Sequence, residues 1–166
     1  MAKKGTTLVE LIVVLGLISI IVIISSNFIG ASRKILVQAE LEKLYSVFII
    51  LQRNAIFERR DHELIFSIET NSYSFNGRVI SLGNYLKMGA PIGVKGPPSN
   101  PKNIITKPCS FTDNKVIFYG DGRVSSGVIY LTDKDGTAAC AISVPVSDFP
   151  FIRRYVYRNN AWALIT

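Results

Sequence analysis

LIVVLGLISIIVIISSNFIGAS, residues 11–32, organises the chain: 22 consecutive positions without a charged side chain. As a helix rising ~1.5 Å per residue it would cover roughly 33 Å, enough to cross the hydrocarbon core of a bilayer. Its β-branched residues, from Ile12 to Ile24, do not argue against a helix. A lone segment in lipid must satisfy its backbone internally, and only a helix does so. A transmembrane span over about residues 8–28 is therefore expected. Lys3 and Lys4 precede the run and Arg33 and Lys34 follow it, so flanking charge hardly sets orientation.

A secretory signal peptide fits this stretch less well than a retained anchor. Such a signal has a basic region, an apolar stretch of about 7–15 residues and a small-residue cleavage site. Here the basic region is only residues 1–4, the apolar stretch is longer, and Glu10 interrupts its start. Ala31 and Ser32 offer the small residues for the alternative, cleavage at the far end.

Outside that run the composition narrows the functional classes. A length of 166 residues argues for one domain. With 48% hydrophobic and 19% charged residues and a mean hydropathy of +0.29, the chain is too apolar for intrinsic disorder. Its single histidine, His62, removes multi-histidine metal sites and makes any Ser-His-Asp triad hang on one residue. Two cysteines exclude a four-cysteine zinc site and a disulfide-dense scaffold. The composition points away from an enzyme, with no catalytic residue, metal or cofactor expected.

Helical periodicity continues past the apolar run. Val37, Leu41, Leu44, Phe48, Leu51 and Ala55 alternate spacings of four and three, which predicts an apolar stripe on one helix face. The stripe is too short for a coiled coil and suits packing on a sheet. One long helix over residues 6–58 is the expectation, ending at Arg59, Arg60 and Asp61. The chain then switches to period two. Residues 63–68, 73–75, 78–82, 115–119, 127–132, 138–144, 151–158 and 161–165 read as strands, with Asn76-Gly77 and Asn159-Asn160 among the turns. Residues 89–108 are rich in proline and glycine and read as a loop. The fold class expected is α+β, a long helix with a membrane-spanning first half packed on an antiparallel head at 59–166.

Glu10 is the most informative residue of the apolar segment. A carboxylate at the edge of a membrane span is costly and calls for a partner. One placement leaves it solvated beside the positive end of the helix dipole. A sharper one pairs it with a new amino terminus created just upstream. Gly5, followed by Thr6-Thr7-Leu8-Val9-Glu10, supplies a cut site and an acid at the fifth position after it.

Lys3-Lys4-Gly5 followed by Thr-Thr-Leu-Val-Glu-Leu-Ile-Val-Val-Leu resembles the class III signal of type IV pilins and type II secretion pseudopilins. The resemblance implies a leader at residues 1–5, cleavage after Gly5 by prepilin peptidase on the cytoplasmic side, and N-methylation of Thr6. It also implies that Glu10 pairs with the terminal amine of a neighbouring subunit in a filament. Thr6 stands where the family usually has a bulky apolar residue, and Asn27 where many members have proline. Phe118-Tyr-Gly-Asp-Gly-Arg123 and the strands after it are similar to the H-type (FimT-like) minor pseudopilins, whose fold is a long helix on two antiparallel sheets. Competence members of that group bind DNA through a Gly-Arg-x-Arg pattern; here the stretch is Phe151-Ile-Arg-Arg-Tyr155, without the glycine.

The remaining candidates are weighed on their residues. Cys109 and Cys140 are a candidate disulfide, closing a loop of about 30 residues and contributing roughly 3–4 kcal/mol; two buried thiols are the alternative. Asp133-Lys-Asp-Gly136 looks like the start of a calcium loop but lacks the later glutamate and suits a hairpin turn. Residues 71–166 hold 11 Lys and Arg against 5 Asp and Glu. Arg153, Arg154 and Arg158 interleave with Tyr155, Tyr157 and Trp162, as single-stranded nucleic acid favours. Strand alternation puts Arg153 on one face and Arg154 and Arg158 on the other. A solvated basic surface near anionic lipid explains the same charges.

Together with the apolar run, the resemblance implies a bacterial inner-membrane, single-pass subunit with a periplasmic head, later part of a filament. Its expected partners are prepilin peptidase, other pilin or pseudopilin subunits, the inner membrane and secreted protein cargo. A type II secretion pseudopilus is preferred. The alternatives are a minor type IV pilin binding DNA for uptake and a plain membrane-anchored β domain.

Overall fold

Thr7 opens the fold. Its backbone is extended, and its hydroxyl accepts a 3.3 Å hydrogen bond from the Glu10 backbone N–H. Thr7 and Glu10 thus stand at the two ends of a Ser/Thr-x-x-Glu capping pattern, which satisfies one of the free donors of the first turn. From this cap a single helix, α1 (Leu8–Glu58, 51 residues), runs to Arg59. Arg59 turns into the left-handed region at φ 51°, and its N–H closes the last turn onto the Ala55 carbonyl. The computed structural model describes residues 7–98, 102–147 and 151–165, with the backbone alone for residues 24–32.

The membrane-spanning first half expected of α1 requires correction. Among the described residues no helix is long and apolar enough to cross a membrane. The described apolar side chains run from Leu8 to Ile23, sixteen residues. That is about 24 Å of helix, against about 30 Å of hydrocarbon. From Arg33 onward the helix is amphipathic and carries Glu40, Glu42, Lys43 and Arg53. The architecture is a long helix followed by antiparallel sheets, without a transmembrane helix among the described residues.

Among the described residues eleven strands follow α1: β1 (His62–Ser67), β2 (Ser72–Phe75), β3 (Arg78–Ser81), β4 (Leu86–Met88), β5 (Lys95–Gly96), β6 (Asn103–Ile104), β7 (Lys115–Phe118), β8 (Gly127–Asp133), β9 (Ala139–Val144), β10 (Arg153–Arg158) and β11 (Ala161–Ile165). They form a four-stranded sheet in the order β3-β2-β1-β7, a five-stranded sheet in the order β11-β10-β9-β8-β4, and the small pair β5-β6. All pairings are antiparallel. Asn76-Gly77 joins β2 to β3 and Asn159-Asn160 joins β10 to β11, with positive φ at both central residues of each turn. That is the type I′ geometry whose twist matches the flanking strands.

The six stripe residues of α1, Val37 to Ala55, are fully buried. They pack against strands of both larger sheets. Phe48 is the centre of the contact: its ring meets Phe118 edge-on at 5.5 Å and lies 6.4 Å from both Phe66 and Phe111. A second, smaller core lies on the far face of the five-stranded sheet. Val128, Tyr130, Ala141 and Tyr155 are buried there under Ala90, Ile105 and Trp162. The stretch expected to be a loop, 89–108, therefore covers a sheet face and contributes the β5-β6 pair. Without that cover the Tyr130 and Tyr155 rings would face water.

Candidate functional site

Every described side chain from Thr7 to Ile23 is exposed, Leu8 at 74% and Ile23 at 63%. Leu8, Val9, Leu11 to Leu15, Leu17, Ile18 and Ile20 to Ile23 surround the helix with apolar surface, and Glu10 is the lone charge among them. The Glu10 backbone N–H is held by Thr7, and its exposed carboxylate sits where the helix dipole favours negative charge. Gly5 and Thr6 lie outside the described residues.

The candidate nucleic-acid residues do not form one surface. Arg154 faces α1, where its guanidinium ion-pairs with Glu42 and lies 4.4 Å above the Tyr45 ring. Val156, two residues on, is part of the main core on that same face, and the alternation carries Arg158 there too. Arg153 is exposed on the opposite face, with its guanidinium 5.9 Å from the Phe151 ring. Arg154 is spent on holding β10 to the helix. The sequence signal for this clamp is modest: Glu42 and Tyr45 stand three apart, on neighbouring positions of one helix face.

No bridge joins Cys109 and Cys140; both are free and buried. Cys109 pairs with Ile129 on one side of β8, and Cys140 pairs with Leu131 on its other side. One strand thus lies between them, which separates the two backbones by roughly 10 Å. A disulfide tolerates no more than about 7 Å between Cα atoms. Burial pushes the Cys109 thiol up to about 11 and the Cys140 thiol up to about 12, so neither is a thiolate at neutral pH.

The Phe118-to-Arg123 motif is a fastening for the end of α1. The Gly120 N–H donates to Asp61 Oδ1 at 2.9 Å, and a Cβ on Gly120 would lie 2.6 Å from the Arg59 carbonyl carbon. Gly122 has φ +93° and turns the chain back, so that the Tyr119 N–H donates to the Arg123 carbonyl at 2.9 Å. Asp133 is also structural. Its buried carboxylate accepts from Thr137 Oγ1 at 2.6 Å, Thr137 N at 2.7 Å and Ala138 N at 2.8 Å. Asp135 is ion-paired with Arg33. Asp133 thus closes the β8-β9 turn, and Asp135 ties that turn to α1. His62 Nε2 lies 3.3 Å from Glu58 Oε2 at the end of α1.

Two further features were outside the reach of sequence reasoning. Trp162 Nε1 donates to the Lys95 carbonyl at 2.8 Å and pins β11 to the cover segment. Its ring also meets Tyr157 edge-on at 5.1 Å and Tyr130 at 5.8 Å. Compared with family models, with curated proteins and with solved structures, the chain matches none.

Proposed function

We propose that this protein is a structural subunit of a type IV pilin-like filament, and within that class a minor pseudopilin of a type II secretion machine. The observation that carries the reading is the segment Leu8–Ile23, apolar and exposed on every side, with the single carboxylate Glu10 near its capped start. A soluble monomer rarely presents that much contiguous apolar surface, because leaving it in water costs about 25 cal/mol per Å². Packing among the same segments of neighbouring subunits removes it from water. Within such a bundle a buried carboxylate requires a cation. Cleavage after Gly5 by prepilin peptidase creates one, the amino group of Thr6 on a neighbour.

The helix suits transmission of movement to the head. A displacement of the apolar segment passes along one unbroken α1 backbone into the stripe fixed by Phe48 and its ring partners. A filament assembled at the bacterial inner membrane would use that coupling to carry heads, and secreted protein cargo in front of them, without chemistry at any residue. The spread of Arg153, Arg154 and Arg158 over two faces lends nothing to a DNA-uptake role.

The test is the intact mass of the native protein recovered from its own cells. Loss of residues 1–5 together with gain of one methyl group is the expected result. A chain that still begins at Met1 in cells containing active peptidase would remove the filament reading.

A further inference from the structure

We infer that the open edge of β11 is a docking site for an extended, acidic segment of a partner polypeptide, which adds to the five-stranded sheet as a sixth strand. The two larger sheets have four outer strands: β3, β7, β4 and β11. Three carry a cation within the strand, Arg78 on β3, Lys115 on β7 and Lys87 on β4, the usual protection against edge-to-edge pairing. β11, Ala161-Trp-Ala-Leu-Ile165, carries none and consists of apolar residues, of which Ala161, Ala163 and Leu164 are exposed.

Its hydrogen-bonding groups are free to pair. The Asn159-Asn160 turn is a two-residue hairpin, so its flanking pair Arg158–Ala161 exchanges both backbone bonds. Counting outward in twos, Ala163 and Ile165 also bond to β10. The N–H and C=O groups of Trp162 and Leu164 therefore point away from the sheet. Among the described residues, no backbone bond joins β11 to any strand but β10.

Grooves flank the edge, where alternate side chains of an added strand would fall. On the face away from α1 a groove of about 820 Å³ is lined by Val94, Lys95, Pro98, Tyr157, Ala161 and Trp162. On the α1 side a groove of about 440 Å³ lies between Tyr45, Ile49 and Gln52 of the helix and Leu164 and Ile165 of the strand. An open edge gives backbone affinity, and pockets for alternating side chains give selectivity.

Charge selects the occupant. Residues 151–165 contain no carboxylate; with Arg154 paired to Glu42, the exposed cations are Arg153 on the face away from α1, with Lys95 at the rim of the larger groove, and Arg158 on the α1 side. An acidic strand meets cations on both faces. A second copy does not fit this requirement: none of the four outer strands of the chain contains Asp or Glu. The inference stands independently of the filament reading, since the edge is open whatever becomes of the helix.

The test uses the full chain in detergent, with a fluorescent peptide of alternating valine and glutamate as the probe. A valine–lysine peptide and a single-stranded oligothymidylate serve as comparisons, all read by anisotropy. The valine–glutamate probe is expected to bind most tightly, less so as salt rises, and to slow amide exchange at Trp162 and Leu164. Leu164→Pro removes an outward N–H without touching the β10 ladder and is expected to weaken binding about tenfold, whereas Leu164→Ala retains it. The amide-exchange readout on the unaltered chain covers the case in which the proline variant fails to fold. Tighter binding of the oligonucleotide or of the lysine peptide would overturn the inference. So would no binding of the glutamate peptide, or self-association that protects the same two amides in its place.

Discussion

Gly120 shows how one residue can be required by its neighbours rather than by its own torsions. The Arg59 and Arg60 backbone approaches so closely that a methyl group at position 120 would lie 2.6 Å and 2.8 Å from main-chain atoms. Backbone cannot rotate away as a side chain does. Gly120→Ala is therefore expected to destabilise the head by about 2–3 kcal/mol, read as a lowered urea midpoint with unchanged slope. Asp133 illustrates the electrostatic counterpart. Burial alone would raise its carboxyl, but hydrogen bonds from the Thr137 hydroxyl and from the Ala138 and Thr137 N–H groups outweigh it and hold the group below the usual aspartate range. A carboxyl depressed on folding contributes stability above its unfolded pKa, and that contribution is lost as pH falls through the folded value. Stability should thus be level near neutral pH and decline once the pH drops below about 4. Asp133→Asn should flatten that decline in an acid titration followed by circular dichroism.

At the scale of elements, α1 serves two purposes along its length. Toward the head it is a packing element: Phe48→Ala is expected to cost about 3–5 kcal/mol, while Ile50→Ala, on the exposed face, should stay within about 0.5 kcal/mol. Toward its start it is an exposed apolar rod. Glu10→Ala should leave the thermal midpoint of the head unchanged, yet, on the proposed filament reading, abolish incorporation into filaments, as seen by fractionation of sheared cells. An unaltered filament yield with Glu10→Ala would mean that the carboxylate is only a helix-terminus charge. Much of this element was legible beforehand, because the spacing of Val37 to Ala55 is a helical period that any packing surface can use. The alternation of Arg153, Tyr155 and Tyr157 against Arg154, Val156 and Arg158 was legible for the same reason. β4, β5 and β6 were not: strands of two or three residues have no measurable period.

The whole molecule places the two cysteines beyond each other's reach, and that has a chemical consequence. With thiols raised to about 11 and about 12 by burial, neither should react with a thiol reagent at pH 8 in the folded protein. Both should react in denaturant. Rapid labelling of the native chain would contradict the burial of the thiols, and a mass lower by two hydrogens would contradict the strand order around β8. The covering of the five-stranded sheet is likewise a property of the whole. Helix α1 shields one face, and the 89–108 segment, held by Trp162 to Lys95, shields the core of the other.

Local patterns alone determined that a long helix precedes a sheet-forming region, which face of the helix is buried, where the hairpin turns fall, and that Glu10 stands alone in an apolar stretch. These follow from periodicity, turn chemistry and charge, which act over a few residues. Only the tertiary structure decided that β8 separates Cys109 from Cys140, that Arg154 is consumed by Glu42 and Tyr45, that a proline-rich stretch covers a second core, and that β11 is left open. Each of those depends on which distant strands become neighbours. That choice is set by the simultaneous burial of Phe48, Phe66, Phe111 and Phe118 around one helix, and no single segment encodes it.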